Sequence, residues 1–469
     1  MFDRPYVVSW NLTYRCNLSC EHCYLDAGGA PQVTDDAFSD RNELSTEQCF
    51  AVIDDLAAFA PECLTILTGG EPLLRRDILQ IVGRAAQRGL FVVVGTNGVR
   101  ITANLSRLLK DAGARGLSLS LDALDPERHD RFRGVRGAWR NTVEGASLLR
   151  EAGLPFIVQT TVGAHNLGEI EALADFAHER MQASVWNLYF LVPTGRGQFV
   201  SDITPEQYDE VLAALARLQR RYAGRMIVNA KCAPHFVRTL FAEAESAPRD
   251  GAGPNAGAGP EAGAATGTGA GPAASSGTAA PPFLKTFSGG AGGCPAGTHY
   301  FGIRPNGDVT PCPYLPVFAG NLRRDRLQEI WDSSDLFGRV RARSGLGGRC
   351  GECELQPRCG GCRARAYGMT GDLMAEDPLC THTPGRFAGS PLLRIETPVV
   401  YGTDASRTIA WDPDATERIE RVPAFVRGMV VKAVEDACRK SGAGRVTLEE
   451  LDRIRARMPL PKIFGAGPR

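Results

Sequence analysis

Residues 5 to 191 alternate short β-rich runs with stretches of helical periodicity. The runs Tyr6 to Ser9, Leu64 to Leu67, Phe91 to Val94, Leu117 to Leu121, Phe156 to Thr160 and Val185 to Phe190 predict six strands separated by helices. That order implies an α/β fold around a parallel sheet, open or barrel-like. Helix starts are legible as well. Ser45 with Gln48 has capping-box spacing, and Thr102 precedes an apolar pattern at Leu105, Leu108 and Leu109. These helices are expected on the outside of the sheet.

The pattern changes after residue 242. From about 243 to 293 the chain is almost entirely Ala, Gly, Pro, Ser and Thr, with too few large apolar groups to repay chain entropy, which predicts a disordered insert. Residues 294 to 384 carry seven Cys among many Gly and Arg with little periodicity, so metal is expected to replace much of a hydrophobic core. A linker over 385–409 leads to a helical module over 410–469, where Val426, Val430, Ala433 and Ala437 share a face and Thr447 with Glu450 forms another capping box. Residues 1–242 form the expected core domain.

Composition narrows the partners. Lys plus Arg and Asp plus Glu both number 53 in 469 residues, so no overall field draws the chain to nucleic acid or to an anionic membrane. No run approaches the ~20 apolar residues of a membrane span, and the first residues lack the features of a signal peptide. A cytoplasmic location is expected. In that reducing compartment fourteen Cys are not expected to form disulfides, and ten of them fall into tight clusters that suggest ligation. Cys49, Cys63 and Cys438 lie in apolar patterns and read as small buried hydrophobes.

Cys16, Cys20 and Cys23 follow the first strand and place three thiolates on one loop. Three ligands suit a four-iron cluster with one iron open, and zinc held with His22 is the alternative. The second strand ends in Gly69-Gly70-Glu71-Pro72, where glycine lets the backbone approach a ligand and a carboxylate can accept from an ammonium. Polar groups recur at later strand ends: Thr96-Asn97-Gly98, Ser118 to Asp122, and His129 to Gly134. Downstream, Cys294, Cys312, Cys350-x2-Cys353-x5-Cys359-x2-Cys362 and Cys380 form a second metal-binding pattern, with zinc ribbons the alternative to iron.

The CxxxCxxC loop followed by Tyr24, together with the GGEP segment, resembles the radical S-adenosylmethionine superfamily. The resemblance implies a partial (β/α)6 barrel and a 4Fe-4S cluster on Cys16, Cys20 and Cys23 whose open iron chelates S-adenosylmethionine. It further implies reductive cleavage to a 5′-deoxyadenosyl radical. Cofactor contacts are implied for Gly69, Gly70, Glu71, Pro72, Asn97, Ser120 and Asp122, with Arg133 on the carboxylate. The later cysteines resemble the SPASM extension, which holds up to two further 4Fe-4S clusters. By that resemblance Cys350, Cys353, Cys359 and Cys380 hold the distal cluster, and Cys294, Cys312 and Cys362 the nearer one. Cys232 is the best candidate for its missing fourth ligand, with His235, His299, water or substrate as alternatives. Cys359 and Cys362 are separated by two residues where the family has three.

The segments Leu191 to Gly197, Cys232 to Phe236 and Cys359 to Tyr367 resemble radical SPASM enzymes of tetrapyrrole biosynthesis. That group includes the alternative-pathway heme b synthase, the didecarboxysiroheme-processing enzyme and the heme d1 maturase. Trp411, the run from Arg418 to Arg427 and Glu435-Asp436-Ala437 are similar to the C-terminal module of the dark protochlorophyllide reductase B subunit. The implied activity is modification of a tetrapyrrole side chain, by oxidative decarboxylation of propionate or loss of acetate carbon, with a reduced flavodoxin or ferredoxin-type electron donor. Such a substrate needs a flat slot and cations for its carboxylates. Arg196, bracketed by two glycines, is the first candidate, with His235, Arg238, Arg363 and Arg365 beside it. The rivals are SPASM-type peptide maturation, for which the stretch before Tyr6 leaves no recognition domain, and an iron-sulfur carrier or heme-binding scaffold without turnover.

Overall fold

The computed structural model describes residues 4–28, 43–200, 202–223, 225–246, 293–390, 407–422 and 424–457. Most of the expected insert and linker lies outside these residues, as does the Val426 side chain. Ten strands form one sheet: β1 (Val7–Asn11), β2 (Leu64–Thr68), β3 (Phe91–Thr96), β4 (Gly116–Ser120), β5 (Phe156–Val162), β6 (Val185–Phe190), β7 (Ile227–Lys231), β8 (Tyr300–Ile303), β9 (Asp308–Thr310) and β10 (Gly320–Asn321). Their order is β10-β9-β8-β1-β2-β3-β4-β5-β6-β7. β1 to β8 pair in parallel, and β9 and β10 continue antiparallel.

All six expected strands are present, and three features go beyond the expectation. β7 adds a seventh parallel strand to the core. β8 pairs with β1 in the register Val7 to Tyr300, so the Cys-rich region extends the core's own sheet. The C-terminal module is not purely helical, because Ala410–Trp411 pairs with Arg445–Val446 beneath its three helices.

Strand alternation assigns each residue to one of two faces. Trp186, Leu188, Phe190, Val228 and Ala230 pack into the core under the helices, so Asn187, Tyr189, Asn229 and Lys231 point to the other, concave face. Asn229 Nδ2 donates to Asn187 Oδ1 there at 2.8 Å. Curvature is visible in packing: Leu64 of β2, Phe91 and Val93 of β3 and Ile157 of β5 share one apolar cluster although β4 intervenes. The sheet is therefore a partial barrel.

The helices cover the outside as their periodicity requires. Thr46–Phe59 begins with the Ser45–Gln48 capping box and buries Cys49, Val52, Ile53 and Leu56, one face of the helix. Cys63 and Cys438 are likewise buried among apolar side chains.

Candidate functional site

The loop after β1 carries Cys16, Cys20 and Cys23, and its shape depends on glycines in neighbouring loops. A Cβ on Gly70 would lie 2.1 Å from the Arg15 carbonyl, and one on Gly195, whose φ is +57°, 2.4 Å from that of Cys23. Both loops thus press backbone against backbone at the thiols. N–H groups converge on all three sulfurs. Leu18 N lies 3.4 Å from Cys16 Sγ, Ala27 N 3.3 Å from Cys23 Sγ, and Arg133 Nη1 3.7 Å from Cys20 Sγ.

Two chains of contacts lead from the expected cofactor residues to these sulfurs. In the first, buried Glu71 accepts from Thr96 Oγ1 at 2.9 Å, Asn97 N at 2.9 Å and Leu73 N at 3.0 Å. Asn97 Nδ2 then reaches Asn17 Oδ1 at 2.9 Å and Cys16 Sγ at 3.9 Å. Burial pushes Glu71 up to about 7, against these donors. In the second, Asp122 accepts from Thr161 N at 2.8 Å and from Arg133 Nε at 2.6 Å. Burial would raise the Asp122 carboxyl, but the Arg133 guanidinium, His22, His129 and the Thr161 N–H together bring it down to about 2. Arg133, expected on the cofactor's carboxylate, is thus ion-paired with Asp122. Ser120 ends β4 two residues before Asp122.

The donor set fits a cluster. Burial pushes Cys16 up to about 12 and raises Cys20, so neither is a stable thiolate alone, and iron ligation would supply the missing positive charge. His22, the fourth ligand of the zinc alternative, stacks on Phe132 with centroids 4.4 Å apart.

The later thiols separate into two groups. Burial raises Cys359 and Cys353, and Cys380 and Cys350 lie close enough to raise both further, which places these four together. Burial raises Cys312, with Cys294 and Cys362 adding to it, and a hydrogen bond between the Cys232 and Cys362 thiols lowers Cys362 and raises Cys232. Cys232 is therefore brought to the set of three that lacked a fourth ligand, at a residue with φ of +57°. Of the two histidine alternatives, His235 has Nδ1 3.1 Å from Tyr208 OH and Nε2 3.4 Å from Asp377 Oδ2, and His299 has Nδ1 3.1 Å from Thr298 Oγ1.

The expected substrate arginines are engaged within the protein. Arg196 Nε donates to Cys20 O at 2.9 Å, Nη2 to Ala27 O at 2.9 Å and Nη1 to Asp26 Oδ1 at 2.8 Å. It thereby braces the thiol loop. His235, another expected substrate residue, is buried, faces Asp377 at 3.4 Å, and burial holds it down at about 4. Arg365 is fully buried on Asp377 Oδ2 at 3.0 Å and on the Leu191 and Cys232 carbonyls. Arg363 holds the Leu373 and Ala375 carbonyls, and Arg238 pairs with Asp209. The sequence reading missed Asp377 and Asp26, whose partners are remote in the chain. It also missed Lys231, half-buried on the concave face, which burial pulls down to about 8.

The fold and the three-thiol loop define a radical S-adenosylmethionine protein with an auxiliary iron-sulfur region. Family models agree: one for the radical SAM superfamily matches residues 10–177, one for an iron-sulfur cluster-binding domain 294–363, and one for the proto-chlorophyllide reductase 57 kD subunit 411–455. The AdoMet-dependent heme synthase of Methanosarcina barkeri is 35% identical over 82% of this chain and 99% of its own, and that of Nitratidesulfovibrio vulgaris 34% over 81% and 93%. The chain belongs to the AdoMet-dependent heme synthase family. The crystal structure of Streptococcus suis SuiB bound to S-adenosylmethionine shares the fold, with a TM-score of 0.58 at 16% identity over 81% of this chain and 78% of that one. The chain is thus a radical enzyme, with iron-sulfur clusters and S-adenosylmethionine as its cofactors. No helix among the described residues is long and apolar enough to cross a membrane.

Proposed function

We propose that the chain converts propionate arms of an iron-bearing tetrapyrrole to vinyl groups, each arm losing a hydrogen atom, carbon dioxide and one electron. The observation that carries the reading is the 35% identity to an AdoMet-dependent heme synthase along 99% of that relative. The C-terminal match to a proto-chlorophyllide reductase subunit is a second likeness to a protein named for a tetrapyrrole. Cys16, Cys20 and Cys23 would hold the first cluster; Cys350, Cys353, Cys359 and Cys380 the distal one; Cys294, Cys312, Cys362 and Cys232 the nearer one. When bound, these groups and S-adenosylmethionine supply a hydrogen-abstracting radical and an acceptor for the electron.

The chain's own residues position this chemistry. Gly69 and Gly70 open the backbone beside the thiol loop, and Glu71 fixes Thr96 and Asn97 against it. Arg133 balances Asp122 and reaches Cys20, while Arg196 ties that loop to the end of β6. A reduced flavodoxin or ferredoxin-type protein would supply electrons. The test is anaerobic incubation of the reconstituted, reduced chain with S-adenosylmethionine and iron-coproporphyrin III, read by mass spectrometry. Loss of carbon dioxide from propionate arms together with 5′-deoxyadenosine is expected. Unchanged tetrapyrroles beside a modified short peptide would replace this reading with peptide maturation.

A further inference from the structure

With Arg196, Arg238, Arg363 and Arg365 engaged within the protein, the carboxylate arms of the proposed substrate need another cation. The concave face of the barrel offers one. From β1 to β8 its positions carry apolar, hydroxyl, amide or glycine residues with a single charged exception, Lys231 at the end of β7. Its orientation follows from alternation, since Asn229, two residues earlier, bonds across the concave face to Asn187. Among the described residues the Lys231 ammonium has no hydrogen-bond or ion-pair partner. A half-buried lone ammonium is costly, and an incoming carboxylate would offset that cost.

Aromatic side chains stand beside it. Lys231 is paired in register with Tyr189 on β6. The Tyr189 and Tyr314 rings have centroids 6.3 Å apart, and Tyr314 and Tyr24 are 4.6 Å apart. Tyr24 follows Cys23 directly and donates to Asn11 Oδ1 at 2.7 Å, while Tyr314 lies two residues beyond Cys312. The three rings thus run from the three-thiol loop toward the Cys232 and Cys312 group, and all three remain half-buried rather than sealed. A flat macrocycle gains from offset or tilted contact with such rings.

We infer that Lys231 receives a carboxylate arm of the substrate, with Tyr24, Tyr189 and Tyr314 forming the aromatic wall along which the ring lies. This rests on the tetrapyrrole reading and extends it by assigning the anion-binding residue. The competing role for Lys231 is to balance the charge of the thiolates beside it at Cys232.

The test uses the anaerobically reconstituted full chain, titrated with iron-coproporphyrin III and with its tetramethyl ester, which lacks the anionic arms, and followed by porphyrin absorbance. The wild-type chain is expected to prefer the free acid. Lys231→Met should weaken binding of the acid roughly tenfold to a hundredfold, the range of a hydrogen bond to a charged group, and leave the ester nearly unaffected. Lys231→Arg should recover most of the loss, and Tyr189→Leu should weaken acid and ester alike. A Met variant that binds the acid normally while the auxiliary cluster's reduction potential shifts would overturn the inference in favour of charge balance. Should the Met variant lose its iron, the wild-type comparison still decides, because equal affinity for acid and ester is incompatible with an anion site. If neither compound nor any other tetrapyrrole binds the wild-type chain, the substrate reading itself fails and this assignment with it.

Discussion

Cys16, Cys20 and Cys23 lie on one short loop, whereas Cys232, Cys294, Cys312 and Cys362 are gathered from opposite sides of the chain's longest insert. The first group is local in sequence and is held by braces from elsewhere: Arg196 on its carbonyls, Asn97 and Arg133 toward its sulfurs. The second group is not local, and what surrounds it is a buried network. Asp377 Oδ2 accepts from Cys362 N at 2.8 Å and from Arg365 Nη1 at 3.0 Å, and Arg365 in turn holds the Cys232 carbonyl. A local thiol loop needs its position fixed, whereas a dispersed set needs its segments tied to one another.

The largest effect should come from cutting that tie. Arg365→Leu leaves Asp377 buried without its cation, and breaking a buried ion pair from one side costs about 3–5 kcal/mol. Iron bound by the nearer auxiliary thiols should be lost while iron on the Cys16 loop is retained. Spectroscopic quantitation of each cluster checks this, and equal loss from both regions would break the contrast.

Acidity should distinguish the N-terminal site in a second way. Burial lifts Glu71 from an ordinary value of 4.5 to about 7. An acid raised in the folded state contributes stability that is fully present below about 4.5 and is lost as pH rises through about 7. A displacement of that size corresponds to about 3 kcal/mol at most. Glu71→Gln should therefore flatten the pH dependence of the melting temperature across that window, and an unchanged slope would place the titration elsewhere.

Arg196→Ala is the mirror image of the first substitution. It removes three donors from the Cys16 loop, including a partly exposed ion pair with Asp26, at about 1.5–3 kcal/mol. Iron and S-adenosylmethionine cleavage should fall at the first site, with the auxiliary clusters intact. Arg196→Lys should rescue little, because an ammonium cannot fork to three separated acceptors.

How much of this was readable depends on how far each partner lies along the chain. The six strands with strong apolar runs are present, with ends shifted slightly. β7 escaped notice because Ile227–Lys231 presents only Val228 and Ala230 to the helices while Asn229 and Lys231 turn inward, so no apolar run stands out. β9 and β10 span three and two residues, too short for any periodicity. The thiols and the GGEP segment are legible because their chemistry is written in adjacent residues. The contacts that Arg196 and His235 make within the protein were not legible, because their partners, Cys20 with Asp26 and Tyr208 with Asp377, are remote in sequence. A lysine beside a cysteine carries no mark of facing inward until the strand is seen.

The smallest expected effect sharpens the comparison by lying outside both thiol regions. Val422, in the turn between the first two helices of the C-terminal module, packs with Tyr6, Leu64, Phe91, Val93 and Ile157. These residues lie at or near the starts of β1, β2, β3 and β5, whereas the Cys16 loop leaves the end of β1. Arg427 supports the turn through the Val422 carbonyl at 2.9 Å and reaches Glu62 Oε2 at 3.2 Å. The module therefore closes the barrel at the end opposite the thiols, although it resembles a part of another tetrapyrrole enzyme. Val422→Ala removes two half-buried methyl groups, so a loss of about 1 kcal/mol and a small fall in melting temperature are expected. Iron content, S-adenosylmethionine cleavage and porphyrin affinity should stay at wild-type values. A weakened porphyrin affinity with all clusters retained would mean that the two barrel ends are coupled, and the module would then belong to the substrate site rather than to the closure of the fold.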